Sequence, residues 1–231
     1  MRNNQAAEKP LRHSGEVLEV HSIFHTLQGE GPYAGVPAVF LRLAGCNLQC
    51  PDCDTDYTAG REPMHLDAIL LRIDGVALPF PMTRLVVITG GEPMRQPLGP
   101  LIRQLLRHGW EVQLETNGTL FQEGIPYEGI TVVCSPKTGS INKALAPHLS
   151  ALKYVVNKAA LGADGLPDTA LNHGTSLLAR PPQDFAGTVY LQPFDSGNAE
   201  ENRVHQLATV EACLQTGATY CHQLHKLLEL E

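Results

Sequence analysis

Three cysteines stand within eight residues of one another in the stretch "GCNLQCPDCDT": Cys46, Cys50 and Cys53, spaced C-x3-C-x2-C, with no fourth cysteine near. They follow directly on an apolar run, "PAVFLRLAG" (37–45), and Pro51 argues against a helix continuing through them. Such a loop, following directly on a strand, can wrap three thiols around one centre. A structural zinc is closed by four ligands, commonly two C-x2-C pairs far apart in sequence. An electron-carrying iron–sulfur cluster normally takes four cysteines. Three cysteines on a four-iron cluster leave one iron open for a ligand. Zinc completed by a histidine such as His21 or His25 is the alternative at this point. Cys134, Cys213 and Cys221 fall within predicted strands or a helix and read as small packed residues.

The rest of the chain alternates short apolar runs with helical patterns, the signature of an α/β fold. Strands are expected at 16–24, 37–45, 84–90, 111–117, 130–135, 152–157 and 188–193, with a last short one within 218–224. Leu98, Leu101, Ile102, Leu105 and Leu106 recur at helical spacing, and Gly109 ends that helix. A second helix follows Asn198, an N-cap with Glu201 three residues on in a capping-box arrangement. Val204, Leu207, Val210 and Leu214 form its apolar stripe, and Gly217 stops it. A shorter helix is expected over 65–73. Residues 159–186 are rich in glycine and proline and give no assignable pattern. Residues 1–14 read as a mobile tail, followed by a single domain over 15–231.

With 231 residues, 43% of them hydrophobic and 18% charged, the chain is long enough for a sizeable core. A formal charge of −7 argues against a nucleic-acid partner, which favours a basic face. The first residues lack the apolar stretch of a signal peptide, and no run approaches the roughly 20 residues that span a bilayer. A soluble cytoplasmic protein is expected. In that compartment clustered cysteines mean metal or redox chemistry rather than disulfides.

Polar residues gather at the ends of the expected strands. Glu92, Asn117, Ser135, Lys137 and Asp195 come just after apolar runs, and Glu115 and Gln192 lie at the last positions of theirs. In a parallel β/α barrel those ends share one rim, where such folds build active sites. A few such residues would only mark wet loops; a set on nearly every strand points to a site.

The cysteine spacing after a first barrel strand resembles the radical S-adenosylmethionine (SAM) superfamily, and "TGGEP" (89–93) resembles its glycine-rich SAM motif. The resemblance implies an incomplete, TIM-like β/α barrel. It also implies a [4Fe–4S] cluster on Cys46, Cys50 and Cys53 whose open iron binds SAM, yielding a 5′-deoxyadenosyl radical. In that motif Gly90 and Gly91, lacking a Cβ, would let backbone approach the ligand. Asp52 stands where the superfamily often has an aromatic residue.

Further stretches are similar to one branch, the 7-carboxy-7-deazaguanine synthases: "TLQGEGPYAGVPAVFLRLAGCNLQC", "CDTDYT", "ETNGT", "VCSPK", "LQPFD" and "HQLHKLLELE". This resemblance runs from about residue 20 to the end. It implies ring contraction of 6-carboxy-5,6,7,8-tetrahydropterin to 7-carboxy-7-deazaguanine with loss of ammonia, in queuosine and related 7-deazapurine biosynthesis. Mg2+ assists, SAM is regenerated, a flavodoxin or ferredoxin is the reductant, and the enzyme is a homodimer.

Residue roles follow the same resemblance. Thr55 would bind Mg2+ through its hydroxyl, a hard oxygen donor. Gly91, Glu92, Asn117, Ser135, Pro136, Lys137, Gln192, Pro193, Phe194 and Asp195 would contact SAM. Leu27, Gln28, Gly29, Arg42, Thr89, His225 and Glu231 would contact substrate, the last through its terminal carboxylate. Glu115 would contact substrate or move a proton, with a structural carboxylate as the plain alternative. Arg42 interrupts the run "AVFLRLAG", and a guanidinium there needs an anionic partner. That partner is either a substrate carboxylate or a structural ion pair. Two rival functions remain, an activase that makes a glycyl radical in a partner protein and a non-catalytic zinc or iron–sulfur protein.

Overall fold

The computed structural model describes residues 3–173 and 177–230. Its strands are β1 (Val17–Leu27), β2 (Pro37–Leu43), β3 (Glu62–His65), β4 (Leu85–Gly90), β5 (Glu111–Thr116), β6 (Thr131–Cys134), β7 (Ala151–Val156), β8 (Thr188–Pro193) and β9 (Thr219–Tyr220). They form one nine-stranded sheet in the order β3-β1-β2-β4-β5-β6-β7-β8-β9. From β2 to β9 every pairing is parallel, while β1 runs antiparallel to both its neighbours. The sheet stays open between its edges, β3 and β9, in agreement with the expected incomplete β/α barrel.

Period-2 alternation divides the parallel strands between two environments. Leu41, Ile88, Leu114, Val132 and Leu152 point into the main core, under the helices. The residues between them, Arg42, Thr89, Glu115, Val133 and Lys153, line a cavity on the other face. Burying each core leucine or isoleucine contributes about 1.5–3 kcal/mol, so the helix side fixes the register and thereby aims the polar set.

Helix α1 (Leu66–Ala77) runs four residues past its expected end, and α2 (Gly99–Arg107) lies where its leucine spacing puts it. Helix α3 (Ala199–Thr216) is capped by Asn198, whose side chain accepts from the Glu200 and Glu201 N–H groups, and ends at Gly217 in the left-handed region. The reciprocal half of the expected capping box is absent, because the Asn198 N–H is given to Ser196. Its stripe is also corrected: Val204, Leu207, Val210 and Leu214 are exposed, and His205, Ala208, Thr209 and Ala212 are buried. Small residues let α3 lie close on β8, a packing that a leucine stripe would hold apart. A four-residue helix, α4 (Leu224–Leu227), closes the described chain. Among the described residues no helix is long and apolar enough to cross a membrane.

The N-terminal segment, expected as a mobile tail, makes contacts with the rest of the chain. Residues 3–11 run along the cysteine loop, and Glu8 pairs with Arg61 (2.5 Å) and Arg95 (3.3 Å). Arg95, 2% exposed, also pairs with Glu19 and reaches the Ala44 carbonyl at 3.3 Å.

Candidate active site

The parallel strands deliver their C-terminal ends to one rim, and below it lies a cavity of about 430 Å3. Cys46, Cys50 and Cys53 line one wall, Arg42, Thr89 and Glu115 the floor. All six cysteines are free. Cys46 and Cys50 are 8% exposed, and burial pushes their thiols up to about 12 and about 11; the Cys53 thiol is raised for the same reason. Such thiols ionise only when a cation sits against them, as iron would. Among the described residues no three His, Cys, Asp or Glu side chains converge where one ion could sit. Three thiols that each bound a different iron of one cluster would need no such convergence. Neither histidine considered for zinc is near: His25 stacks on Phe80 and meets Thr83 at 2.8 Å, His21 meets Ser22, and neither lines the cavity.

The glycines of "TGGEP" line the cavity and also make room for the protein's own backbone. A Cβ on Gly90, at φ +142°, would run into the Leu43 backbone, and one on Gly91 would stand 2.8 Å from the Cys46 Cβ. They let the end of β4 press against the cysteine loop. Glu92 does not line the cavity. Fully buried, its carboxylate accepts from Met94 N–H (2.9 Å), Thr116 Oγ1 (2.9 Å) and Asn117 N–H (2.7 Å). Burial raises it to about 7 despite those bonds. It ties β4 to β5 and leaves only its backbone for a ligand.

The remaining expected SAM contacts divide. Asn117 lines the cavity and donates to Asn47 at 2.9 Å. Lys137 donates to the Ser135 hydroxyl at 2.5 Å and to its carbonyl at 2.9 Å, and burial lowers its ammonium. Gln192 and Phe194 line the cavity, and Gln192 Oε1 is buried with no hydrogen-bond partner among the described residues. Pro136 and Pro193 lie outside that lining. Asp195 belongs to a latch: Lys226 stands 3.0 Å from both Asp195 and Asp54, joining the end of β8 to the cysteine loop. Burial alone would raise the Asp195 carboxyl, but Lys226, the Gly197 N–H and Asn202 hold it at about 2.

On the floor, Glu115 accepts from Gln28 Nε2, Gln113 Nε2 and Thr89 Oγ1, each at 3.0 Å. Three donors fix this carboxylate in place. Gln28 also accepts from the Glu30 N–H at 3.1 Å, so its amide is largely committed within the protein. Leu27 lines the cavity, while Gly29 sits behind His225. Arg42 lies 5.9 Å from the Phe24 ring centre and has no carboxylate partner among the described residues. Thr55 lines the cavity, its hydroxyl 3.4 Å from the Asp54 carboxylate. Glu231 lies outside the described residues.

Sequence reasoning passed over the Glu30–Lys153 ion pair, which lines the same cavity. Burial draws Lys153 down to about 8. Its signal was present, since Lys153 interrupts "ALKYVV" as Arg42 interrupts its own run.

No family model matches the chain. It is similar to the 7-carboxy-7-deazaguanine synthase of Rhodospirillum rubrum, 40% identical over 235 residues that cover 97% of each chain. It is similar also to the synthase of Rickettsia prowazekii, 38% identical over 229 residues covering 96% of this chain and 92% of that one. Among solved structures, QueE from Escherichia coli superposes with a TM-score of 0.68 at 25% identity, over 90% of this chain and 94% of the other. By full-length similarity and by fold, the chain belongs to the 7-carboxy-7-deazaguanine synthase family.

Proposed function

We propose that the chain converts 6-carboxy-5,6,7,8-tetrahydropterin to 7-carboxy-7-deazaguanine with loss of ammonia, using a [4Fe–4S] cluster, SAM and Mg2+. One observation carries the reading: three free thiols share a cavity with a guanidinium that has no carboxylate partner among the described residues. The donor sets fit the three groups. Cys46, Cys50 and Cys53 would hold the cluster, Thr55 offers Mg2+ a hard oxygen, and Gln192 Oε1 an unused acceptor to SAM. When bound, the cluster and SAM supply the radical that takes hydrogen from the substrate.

The chain's own residues orient that substrate. Arg42 clamps its carboxylate through two parallel N–H groups, stronger than a single neutral contact. Glu115, held by three donors, faces the ring and is placed to accept a proton from it. Gly91, Asn117, Ser135, Lys137 and Phe194 surround the SAM side, and Asp195 latches it shut through Lys226. His225, presented by α4 beside Gly29, covers the substrate. A flavodoxin or ferredoxin as reductant, a homodimer and a cytoplasmic location belong to the same proposal.

Anaerobic reconstitution tests the reading. The expected protein carries four irons and four sulfides per chain and cleaves SAM when reduced. A chain that binds stoichiometric zinc and no sulfide would support the non-catalytic alternative.

A further inference from the structure

The loop that bears the three cysteines has almost no structure of its own: from Ala44 to Arg61 there is no helix or strand. Its carbonyls need donors, and four of them, those of Cys46, Cys50, Pro51 and Thr55, take one from the N-terminal segment. The Asn3 N–H reaches the Pro51 carbonyl at 2.7 Å, and its side-chain amide reaches the Cys50 carbonyl at 3.0 Å. The Glu8 N–H reaches the Cys46 carbonyl at 2.7 Å. Between them, Gln5 pairs with the loop as a strand would. Its Nε2 donates to the Thr55 carbonyl at 2.9 Å and its Oε1 accepts the Tyr57 N–H at 2.7 Å. Tyr57, 1% exposed, lies beneath with its hydroxyl 3.2 Å from the Gln5 carbonyl. Farther on, the Leu11 N–H meets the Arg95 carbonyl at 2.7 Å.

We infer that residues 3–11 form a strap that sets the shape of the cluster-bearing loop, with Gln5 as the positioning residue for Thr55 and Asn3 for Cys50. This rests on the proposed function, since it assigns the loop a cluster and Mg2+. Four strap bonds land on main-chain carbonyls at or beside an expected ligand, those of Cys46, Cys50, Pro51 and Thr55, so the strap controls where the thiols and the Thr55 hydroxyl stand without touching either group. A segment that merely filled space would place apolar side chains there; this one places two amides and two N–H groups on carbonyls.

The test compares the parent with Gln5→Ala, Asn3→Ala and a chain lacking residues 2–11. Three measurements are made: hydrogen exchange over residues 46–58 in cluster-free protein, iron release to a chelator after reconstitution, and the paramagnetic resonance signal of the reduced cluster. Both point variants should keep the parent's melting temperature. Exchange and iron release should accelerate by roughly 5- to 30-fold, as expected for one or two lost hydrogen bonds. Their resonance signals should shift, and Gln5→Ala should need more Mg2+ for half-maximal turnover. The truncated chain, which also strips Glu8 from buried Arg95, should lose iron fastest. Point variants that match the parent in exchange, iron release and resonance signal overturn the strap, as do changes that only track a fall in melting temperature. A parent chain that assembles no cluster overturns the proposed function and the strap's role with it; a loaded parent with unaffected variants overturns the strap alone.

Discussion

The His225 ring occupies the space in which a Cβ on Gly29 would stand, and the Leu224 N–H donates to the Gly29 carbonyl at 3.2 Å. The "QGEG" turn and the C-terminal helix are therefore in backbone contact across one side of the cavity. Gly29→Ala should push His225 and α4 outward at a cost of about 1–3 kcal/mol. Substrate binding should weaken by roughly 5- to 150-fold with iron content unchanged, measured by titrating substrate into reconstituted protein. Unchanged affinity would remove His225 from the substrate's contacts.

Cys46→Ala, Cys50→Ala and Cys53→Ala should each abolish the iron–sulfur absorbance and SAM cleavage. Cys134→Ala, Cys213→Ala and Cys221→Ala should retain both, because those thiols are packed away from the cavity lining. Iron and sulfide content of the six variants checks the assignment. A second-set variant that loses its cluster while a first-set one keeps it would reverse it.

Arg42→Lys should weaken substrate binding by about 30- to 1,000-fold, equivalent to roughly 2–4 kcal/mol, since an ammonium cannot supply the planar pair of donors. Melting temperature and iron content should hold, because the guanidinium has no ion-pair partner to lose among the described residues. A destabilised protein with normal affinity would show that Arg42 serves the fold instead.

The Lys226 latch gives a pH dependence with a definite sign. The Asp195 carboxyl is depressed to about 2 in the folded state, below its ordinary value near 4. The stability it contributes is complete above about pH 4 and is lost as the pH falls towards 2. Given the partial exposure of this pair, the contribution is at most on the order of 2 kcal/mol. Asp195→Asn should flatten the acid limb of the stability curve, followed by denaturant titrations at pH 4, 3 and 2.5. An acid limb identical to the parent's would dismiss the latch as a surface contact.

The parallel strands were legible because each is an apolar run, and the rim followed from the polar residue that ends it. The short strand β3 was not, since it carries Pro63 and only one buried residue, Met64. The contacts of the N-terminal segment were not legible, because Asn3, Gln5 and Glu8 are held by hydrogen bonds and ion pairs, which leave no periodic trace in a sequence. In α3 the leucines and valines suggested the buried face, but contact with β8 selected the alanines. The stretch 159–186 gave no pattern because its described residues are tied by local pairs, with Arg180 meeting Asp164 and Asp168 at 2.7 Å each. Glu92 was legible as a motif, but nothing in "GGEP" tells which way its carboxylate turns.

The most direct measurement is the mass of the product that the reduced, reconstituted protein forms from 6-carboxy-5,6,7,8-tetrahydropterin in the presence of SAM and Mg2+. The expected product is 7-carboxy-7-deazaguanine, with one ammonia released per turnover and both lost in Cys50→Ala. A protein that holds an intact cluster and cleaves SAM, yet returns the pterin unchanged, would contradict the proposed function.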